Sequence, residues 1–209
     1  MSGRQFVSGM TAAVLALAVV SAQSLPASPD GKAQAQVGGK YAKNARGGQT
    51  YEGGKWMELT YSRPILRGRT NIFGSGATYG ESLLAGAPVW RAGANVTTRL
   101  RTEAALVIGG KTVAPGEYSV FIDLKEGGWT FILSSWDAQT KYDPNNKAAL
   151  WGGYNYTPDK DVARAPMKNM KSSVVVEQLT WGFINVTDKG GEIALWWDKE
   201  FAVVPFTLK

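Results

Sequence analysis

The 209-residue sequence contains no cysteine and no histidine. The absence of cysteine excludes disulfides, thiolate metal sites and cysteine nucleophiles. The absence of histidine removes the usual imidazole ligands of zinc, the Ser-His-Asp triad and the commonest general base near neutral pH. We therefore expect no cofactor and no transition metal, and catalysis by carboxylates remains open.

Charged residues make up only 19% of the chain, and the 23 basic and 17 acidic residues give a net charge of +6. Residues 1–55 hold 6 basic and 2 acidic residues, or +4, which leaves 17 and 15, or +2, for residues 56–209. A domain that binds nucleic acid carries its basic excess on the folded surface. We therefore expect no nucleic-acid partner.

Long apolar runs are absent apart from Met10–Val20. This run is shorter than the ~20 residues that a membrane span needs. The small residues of Val20-Ser21-Ala22 follow it and fit a signal-peptidase site. The pattern predicts a signal peptide over residues 1–22, a periplasmic or secreted protein, and no transmembrane span after cleavage. The alternative is an uncleaved membrane anchor.

The segment 23–55 has few apolar residues, prolines at its start and seven glycines. Such a segment buries too little surface to offset its ordering entropy. We expect a flexible spacer here, or a weak electrostatic tether through its lysines.

From Trp56 onward, apolar and polar residues alternate with the period of two that is typical of strands. Gly109-Gly110 lies between two such stretches and fits a two-residue hairpin turn. No long stretch has a helical apolar stripe, although Tyr79–Leu84 has room for one helical turn. The pattern predicts one antiparallel β-sandwich, or a jelly-roll-like fold, over residues 56–209, with a long glycine- and arginine-rich loop over Arg63–Asn95.

Several short motifs follow one another along the chain: Tyr61-Ser62-Arg63-Pro64, Gly68-Arg69, Ile72-Phe73-Gly74, Val89-Trp90-Arg91-Ala92-Gly93-Ala94-Asn95 and Gly116-Glu117-Tyr118-Ser119. In order and spacing they resemble a family of secreted bacterial proteins known as domain of unknown function 2911. The resemblance covers about residues 36–208. It implies export and a β-rich fold, and it supplies no activity, substrate or cofactor.

The long loop is the first candidate site, because it carries Arg63, Arg69, Arg91 and Asn95. Arginine offers a rigid fork of donors that fits carboxylates and phosphates, so these residues are candidates for an anionic or polyhydroxyl ligand. The structural alternative is one buried polar network, in which acids such as Glu58 or Glu103 neutralise the arginines and fix the loop.

The aromatic residues Trp90, Trp151 and Tyr154 lie in or near loops and form a second candidate site. Aromatic faces stack on sugar rings, and the alternative is that these rings cap the ends of the core. The sequence favours a non-catalytic module of the bacterial envelope that binds a small anionic or carbohydrate ligand or an unknown partner. The alternative is a carboxylate-dependent hydrolase that acts on a glycan or a similar envelope substrate.

Overall fold

The computed structural model describes residues 26–209, of which strands take up 52% and helices 5%. The strands are β1 (Asp30–Val37), β2 (Lys40–Lys43), β3 (Gln49–Glu52), β4 (Lys55–Ser62), β5 (Thr98–Thr102), β6 (Leu106–Ile108), β7 (Lys111–Val113), β8 (Gly116–Asp123), β9 (Thr130–Ser134), β10 (Asp137–Ala138), β11 (Ala149–Leu150), β12 (Asp161–Pro166), β13 (Lys168–Ile184) and β14 (Gly190–Leu208). One short helix, α1 (Glu81–Leu84), and two 3₁₀ turns, Gly76–Thr78 and Pro158–Lys160, complete the regular structure. The all-β class and the helical turn near Leu84 are both confirmed.

Two antiparallel sheets enclose the core. The larger has the strand order β1-β4-β5-β8-β9-β12, and the smaller has the order β13-β14-β6-β7. Their inward side chains form one hydrophobic cluster, to which Leu59 and Val120 contribute from the larger sheet and Trp181 and Val204 from the smaller. A hydrogen bond also joins the sheets, because the Trp181 backbone N–H donates to the Tyr61 hydroxyl at 3.0 Å.

The period of two places neighbouring residues of β8 on opposite faces of the larger sheet. Val120 and Ile122 belong to the main core, whereas Phe121 lies on the outer face and packs with Ile132 of β9. The chain between β9 and β12 covers these outer residues with Leu150 and other side chains. The larger sheet is therefore covered on both faces over part of its area.

The Gly109-Gly110 connection between β6 and β7 is a two-residue hairpin, as the sequence predicts. Both glycines have positive φ angles, 57° and 75°, which glycine adopts without steric cost. A Cβ atom on Gly109 would lie 2.3 Å from the carbonyl oxygen of Arg164 in β12, whereas one on Gly110 would meet nothing within 4 Å. Gly109 is thus needed both for the turn and for the approach of β12.

The prediction of a flexible spacer over residues 23–55 is wrong for residues 30–52. Strand β1 is an edge strand of the larger sheet and pairs with β4 along its whole length, from Asp30 opposite Ser62 to Val37 opposite Lys55. Strands β2 and β3 form a hairpin after it. The inward side chains of β1 are small except for the buried Val37, so its apolar signal is weak, and backbone hydrogen bonds to β4 hold it.

Within residues 26–209, no helix combines the length and the apolar character that a membrane crossing requires. The predicted signal peptide, residues 1–22, lies outside the described residues.

Candidate functional site

The chain between β4 and β5, which we call the first connection (residues 63–97), is anchored by buried apolar side chains rather than by charge. Leu66, Phe73 and Trp90 are each less than 5% exposed. The ring of Phe73 packs against three tryptophans, with centroid distances of 5.0 Å to Trp129, 5.9 Å to Trp90 and 6.1 Å to Trp197. Trp90 is therefore a core residue, and the prediction that its ring meets a ligand in a loop is wrong.

Arg63 joins the two sheets at the β1 edge. Its Nε donates to the carbonyl oxygen of Leu179 at 3.2 Å, and its Nη2 donates to the Thr180 hydroxyl at 3.1 Å. Its aliphatic stem packs so closely on Gly31 that a Cβ atom there would lie 2.4 Å from the Arg63 Cδ. These contacts give Arg63 a structural role.

Arg91 and Asn95 do come together, but through the backbone of Asn95. The Nη1 of Arg91 donates to the Asn95 carbonyl oxygen at 2.7 Å, and Asn95 has a positive φ of 57°. The guanidinium carbon lies 5.7 Å from the centroid of the Tyr154 ring. Burial lowers the pKa of Arg91 from its usual value, although an arginine remains protonated at neutral pH.

The hypothesis of one arginine network neutralised by Glu58 or Glu103 is wrong. Glu58 pairs with Lys32 at 2.9 Å, and this hydrogen bond lowers the pKa of the Glu58 carboxyl. Glu103 accepts a hydrogen bond from the Trp56 backbone N–H at 2.9 Å. Backbone carbonyls and a hydroxyl accept hydrogen bonds from these arginines instead, and aromatic rings lie near Arg69 and Arg91.

Arg69 lines a cavity of about 810 Å³, which we call the cleft. The first connection, the turn at Glu126-Gly127, and the irregular parts of β13 and β14 form its walls. The Nε and Nη2 of Arg69 donate to the carbonyl oxygens of Leu66 and Ile65 at 3.0 and 2.7 Å. Its guanidinium carbon lies 5.9 Å from the centroid of the Trp197 ring. These contacts fix the guanidinium plane before any ligand arrives.

An ion pair between Lys171 and Glu200 lies in the same cleft, where the two residues are cross-strand partners in β13 and β14. The hydrogen bond that the Lys171 ammonium group donates to Glu200 raises the pKa of Lys171. Glu200 is only 9% exposed, and its carboxylate accepts the hydrogen bond from Lys171. The ion pair neutralises the cleft locally rather than adding a free charge.

Aromatic rings form the apolar wall of the cleft. Trp129 and Phe73 are buried there, and the indole N–H of Trp129 donates to the Tyr79 hydroxyl at 2.7 Å. Burial raises the pKa of Tyr79 above its usual value of 10.0, which keeps the phenol neutral at physiological pH. The cleft therefore combines an aromatic wall with a fixed cation, a pattern typical of small-molecule sites.

The predicted residues Trp151 and Tyr154 line a different cavity, of about 460 Å³, in the segment that covers the outer face of the larger sheet. Tyr142 joins them there, with its ring centroid 5.8 Å from that of Trp151. We call Tyr142, Trp151 and Tyr154 the aromatic shelf. The structure thus places Arg69 at the cleft and Trp151 and Tyr154 at this second cavity. The other predicted site residues line neither of them: Arg63, Trp90, Arg91 and Asn95.

Sequence reasoning missed Lys171, Glu200 and Tyr79. The first two become neighbours only through the register of the long β13–β14 hairpin, and no local motif marks them. In the part of the chain from residue 26 to 209, no group of three or more acidic residues is arranged to hold a metal ion.

The family model described as "Protein of unknown function (DUF2911)" matches residues 44–206. The chain belongs to the DUF2911 family. No curated protein and no solved structure gives a significant match. The DUF2911 match includes every residue that lines the cleft and the aromatic shelf, whereas β1 and β2 precede it.

Proposed function

We propose that this DUF2911 domain is a non-catalytic binding module whose cleft holds a small molecule with a carboxylate or phosphate group attached to an apolar ring. The observation that carries the proposal is the state of Arg69. Within residues 26–209 it takes part in no ion pair, although it lines the cleft. A guanidinium group has five N–H donors, and two of them are used by backbone carbonyls.

Three of the four acids that line the cleft have partners other than Arg69, and the fourth is Asp198. Glu200 pairs with Lys171, Glu177 accepts from the Arg67 backbone N–H at 2.6 Å, and Glu126 accepts from the Gly76 backbone N–H at 2.8 Å. These three carboxylates each accept a hydrogen bond from another part of the protein. The same contacts favour binding over the alternative of a carboxylate-dependent hydrolase.

The aromatic wall supplies the second half of the recognition. Phe73 and Trp129 lie at 5.0 Å with an angle of 32° between their rings, and both line the cleft beside Arg69. Phe73 and Trp129 are almost fully buried, at 4% and 1% exposed, so a flat ring would gain its contact area on the half-buried Tyr79, which also lines the cleft. Its acid group would reach the guanidinium fork from there. The geometry therefore selects for a ligand that has both parts.

The test is calorimetric titration of the purified protein with phenyl phosphate, and with benzyl alcohol as the probe that lacks an acid. We expect saturable binding of phenyl phosphate, and a loss of about tenfold or more in affinity in Arg69→Ala, or about 1.4 kcal/mol. Arg69→Lys should restore only part of the affinity, because lysine lacks the planar fork.

Arg67→Ala is the matched control, since Arg67 is an exposed arginine two positions away that does not line the cleft. Its affinity for phenyl phosphate should equal that of the wild type. The proposal fails if phenyl phosphate does not bind, if benzyl alcohol binds equally well, or if Arg67→Ala loses as much affinity as Arg69→Ala.

We further propose that the protein is exported to the periplasm or secreted. The support is the short apolar run Met10–Val20 followed by Ser21-Ala22. N-terminal sequencing of protein from the envelope fraction of an expressing bacterium should begin at Gln23, and an intact Met1 in that fraction would contradict the cleavage.

A further inference from the structure

The aromatic shelf groups exposed rings at a cavity outside the cleft. Tyr142 is 59% exposed, Tyr154 is 37% exposed, and Trp151 is half-buried. The rings of Tyr142 and Trp151 are inclined at 58° to one another, and both residues line the cavity. Solvent-exposed rings at one cavity are costly to leave uncovered, which makes them candidates for a contact surface.

The loop that carries the shelf is fixed by hydrogen bonds rather than by burial. Gln139 is only 7% exposed, and its Nε2 donates to the carbonyl oxygens of Asn146 and Ala149 at 3.0 and 2.9 Å. Its Oε1 accepts from the Asp143 backbone N–H at 2.8 Å. These bonds close the loop from Gln139 to Ala149, so the ring of Tyr142 is carried on a fixed backbone.

Trp151 and Tyr154 are anchored from the other side. The Tyr154 hydroxyl donates to the Ala85 carbonyl oxygen at 3.0 Å, and Arg91 lies against the ring of Tyr154. The buried Thr97 hydroxyl donates to the Gly152 carbonyl oxygen at 2.9 Å, directly after Trp151. The platform is therefore pre-organised, which reduces the entropy that a ligand must offset when it binds.

The polar groups around the shelf indicate a neutral ligand. Asp143 and Lys147 are the charged residues that line this cavity, one of each sign, and Asn146 and Asn155 supply amide groups. The Lys147 ammonium donates to the carbonyl oxygen of Pro144 at 2.7 Å, which directs part of its hydrogen bonding to the loop itself. Aromatic planes with a balanced polar rim suit a polyhydroxyl compound, unlike the cleft with its fixed cation.

We propose that the aromatic shelf is a second binding site, separate from the cleft, and that it takes a neutral pyranose chain. A β-1,4-linked glucopyranose unit has equatorial substituents, so both ring faces are flat C–H surfaces that stack on aromatic planes. The rings of Tyr142 and Trp151, whose centroids lie 5.8 Å apart, would offer aromatic surface to a unit of such a chain. The side-chain amides of Asn146 and Asn155 would then meet the hydroxyl groups at the ring edges.

The experiment is titration of the purified protein with cellohexaose, followed by tryptophan fluorescence and by calorimetry. We expect saturable binding with a change in fluorescence, and a loss of about fivefold to tenfold in affinity in Tyr142→Ala. Trp151→Ala should lose at least as much, and Trp151→Phe should recover part of it because a ring remains. Since Tyr142 is exposed, its removal should leave the circular dichroism spectrum unchanged.

Two controls separate this site from other surfaces. Tyr41→Ala removes an exposed ring, 71% accessible, that forms a similar pair with Tyr51 at 5.2 Å on the β2–β3 hairpin, and it should leave cellohexaose binding unchanged. Arg69→Ala should also leave it unchanged while it weakens phenyl phosphate binding, so the two proposals fail independently. The inference is overturned if cellohexaose does not saturate the protein at millimolar concentration, or if Tyr41→Ala weakens binding as much as Tyr142→Ala does.

Discussion

The first connection and the chain between β10 and β11, which we call the second connection (residues 139–148), are both long loops, but different forces hold them. Trp90 and Phe73 bury the first connection in the main core, as part of a cluster of four aromatic rings. The second connection is exposed except for Gln139, whose amide closes it through three hydrogen bonds. Burial ties a loop to global stability, whereas local hydrogen bonds tie it only to itself.

The two cavities follow this difference. The wall of the cleft is part of the core, so its geometry should persist as long as the fold does. Of the aromatic shelf, Tyr142 lies on the locally closed loop, so its ring can move without global unfolding, whereas Trp151 and Tyr154 follow that loop in the chain. Loops of this second kind are where a binding surface varies most readily between relatives.

The largest effect is expected from Trp90→Ala, which tests whether burial anchors the first connection. Its ring is 1% exposed and stacks on Trp197 at 6.2 Å. Removing it should lower the free energy of unfolding by about 3–5 kcal/mol, because the cavity adds to the lost burial. Urea unfolding measures the change, and Trp56→Ala, which removes a ring that is 46% exposed, should cost less than about 1 kcal/mol. Equal losses in the two variants would show that burial does not anchor the first connection.

A smaller and more local effect is expected from Gln139→Leu, which keeps the volume and removes the amide. The Asp143 N–H and two carbonyl oxygens lose their partner, at a cost of about 1–3 kcal/mol. Hydrogen exchange should accelerate in residues 139–149 and stay unchanged in β13 and β14. Thr140→Ala, an exposed neighbour, is the control. Faster exchange throughout the protein would instead make the second connection part of the global unit.

The smallest effect is expected at Arg91 of the first connection. Arg91→Ala removes one hydrogen bond to Asn95 and the contact with Tyr154, so the free energy of unfolding should fall by about 1 kcal/mol. A buried ion cluster would instead lose about 3–5 kcal/mol on removal of one partner. Urea unfolding distinguishes these two losses of stability, with Arg67→Ala as the exposed control. A loss in the larger range would contradict the local pairing of Arg91.

The sequence predicted the parts of the fold that depend on local chemistry. Alternating residues in β8 and the glycine pair at 109–110 indicate strand and turn without reference to any neighbour. Strand β1 was missed because its inward side chains, such as Ala33 and Ala35, are small and its stability comes from pairing with β4. A periodicity argument detects side-chain burial and is insensitive to backbone hydrogen bonds with a distant strand.

The candidate sites were predicted in part. Arg69, Trp151 and Tyr154 do line cavities, since exposed arginine and aromatic residues in loops carry a chemical signal of their own. Their grouping was wrong, because Arg63 and Arg91 find partners in β13 and in the backbone of Asn95. Spacing along a loop does not determine which way its side chains turn.

The sequence by itself determined the all-β class, the hairpin turn at Gly109-Gly110 and, through its motifs, membership of the DUF2911 family. Only the tertiary structure decided that Arg69, Lys171 and Glu200 line the same cleft and that Tyr142 and Trp151 line another cavity. The physical reason is that turns and alternation follow from the conformational preferences of neighbouring residues. A binding surface depends instead on strand register and loop packing, which place Arg69 in one cleft with Lys171 and Glu200, residues distant from it in the sequence.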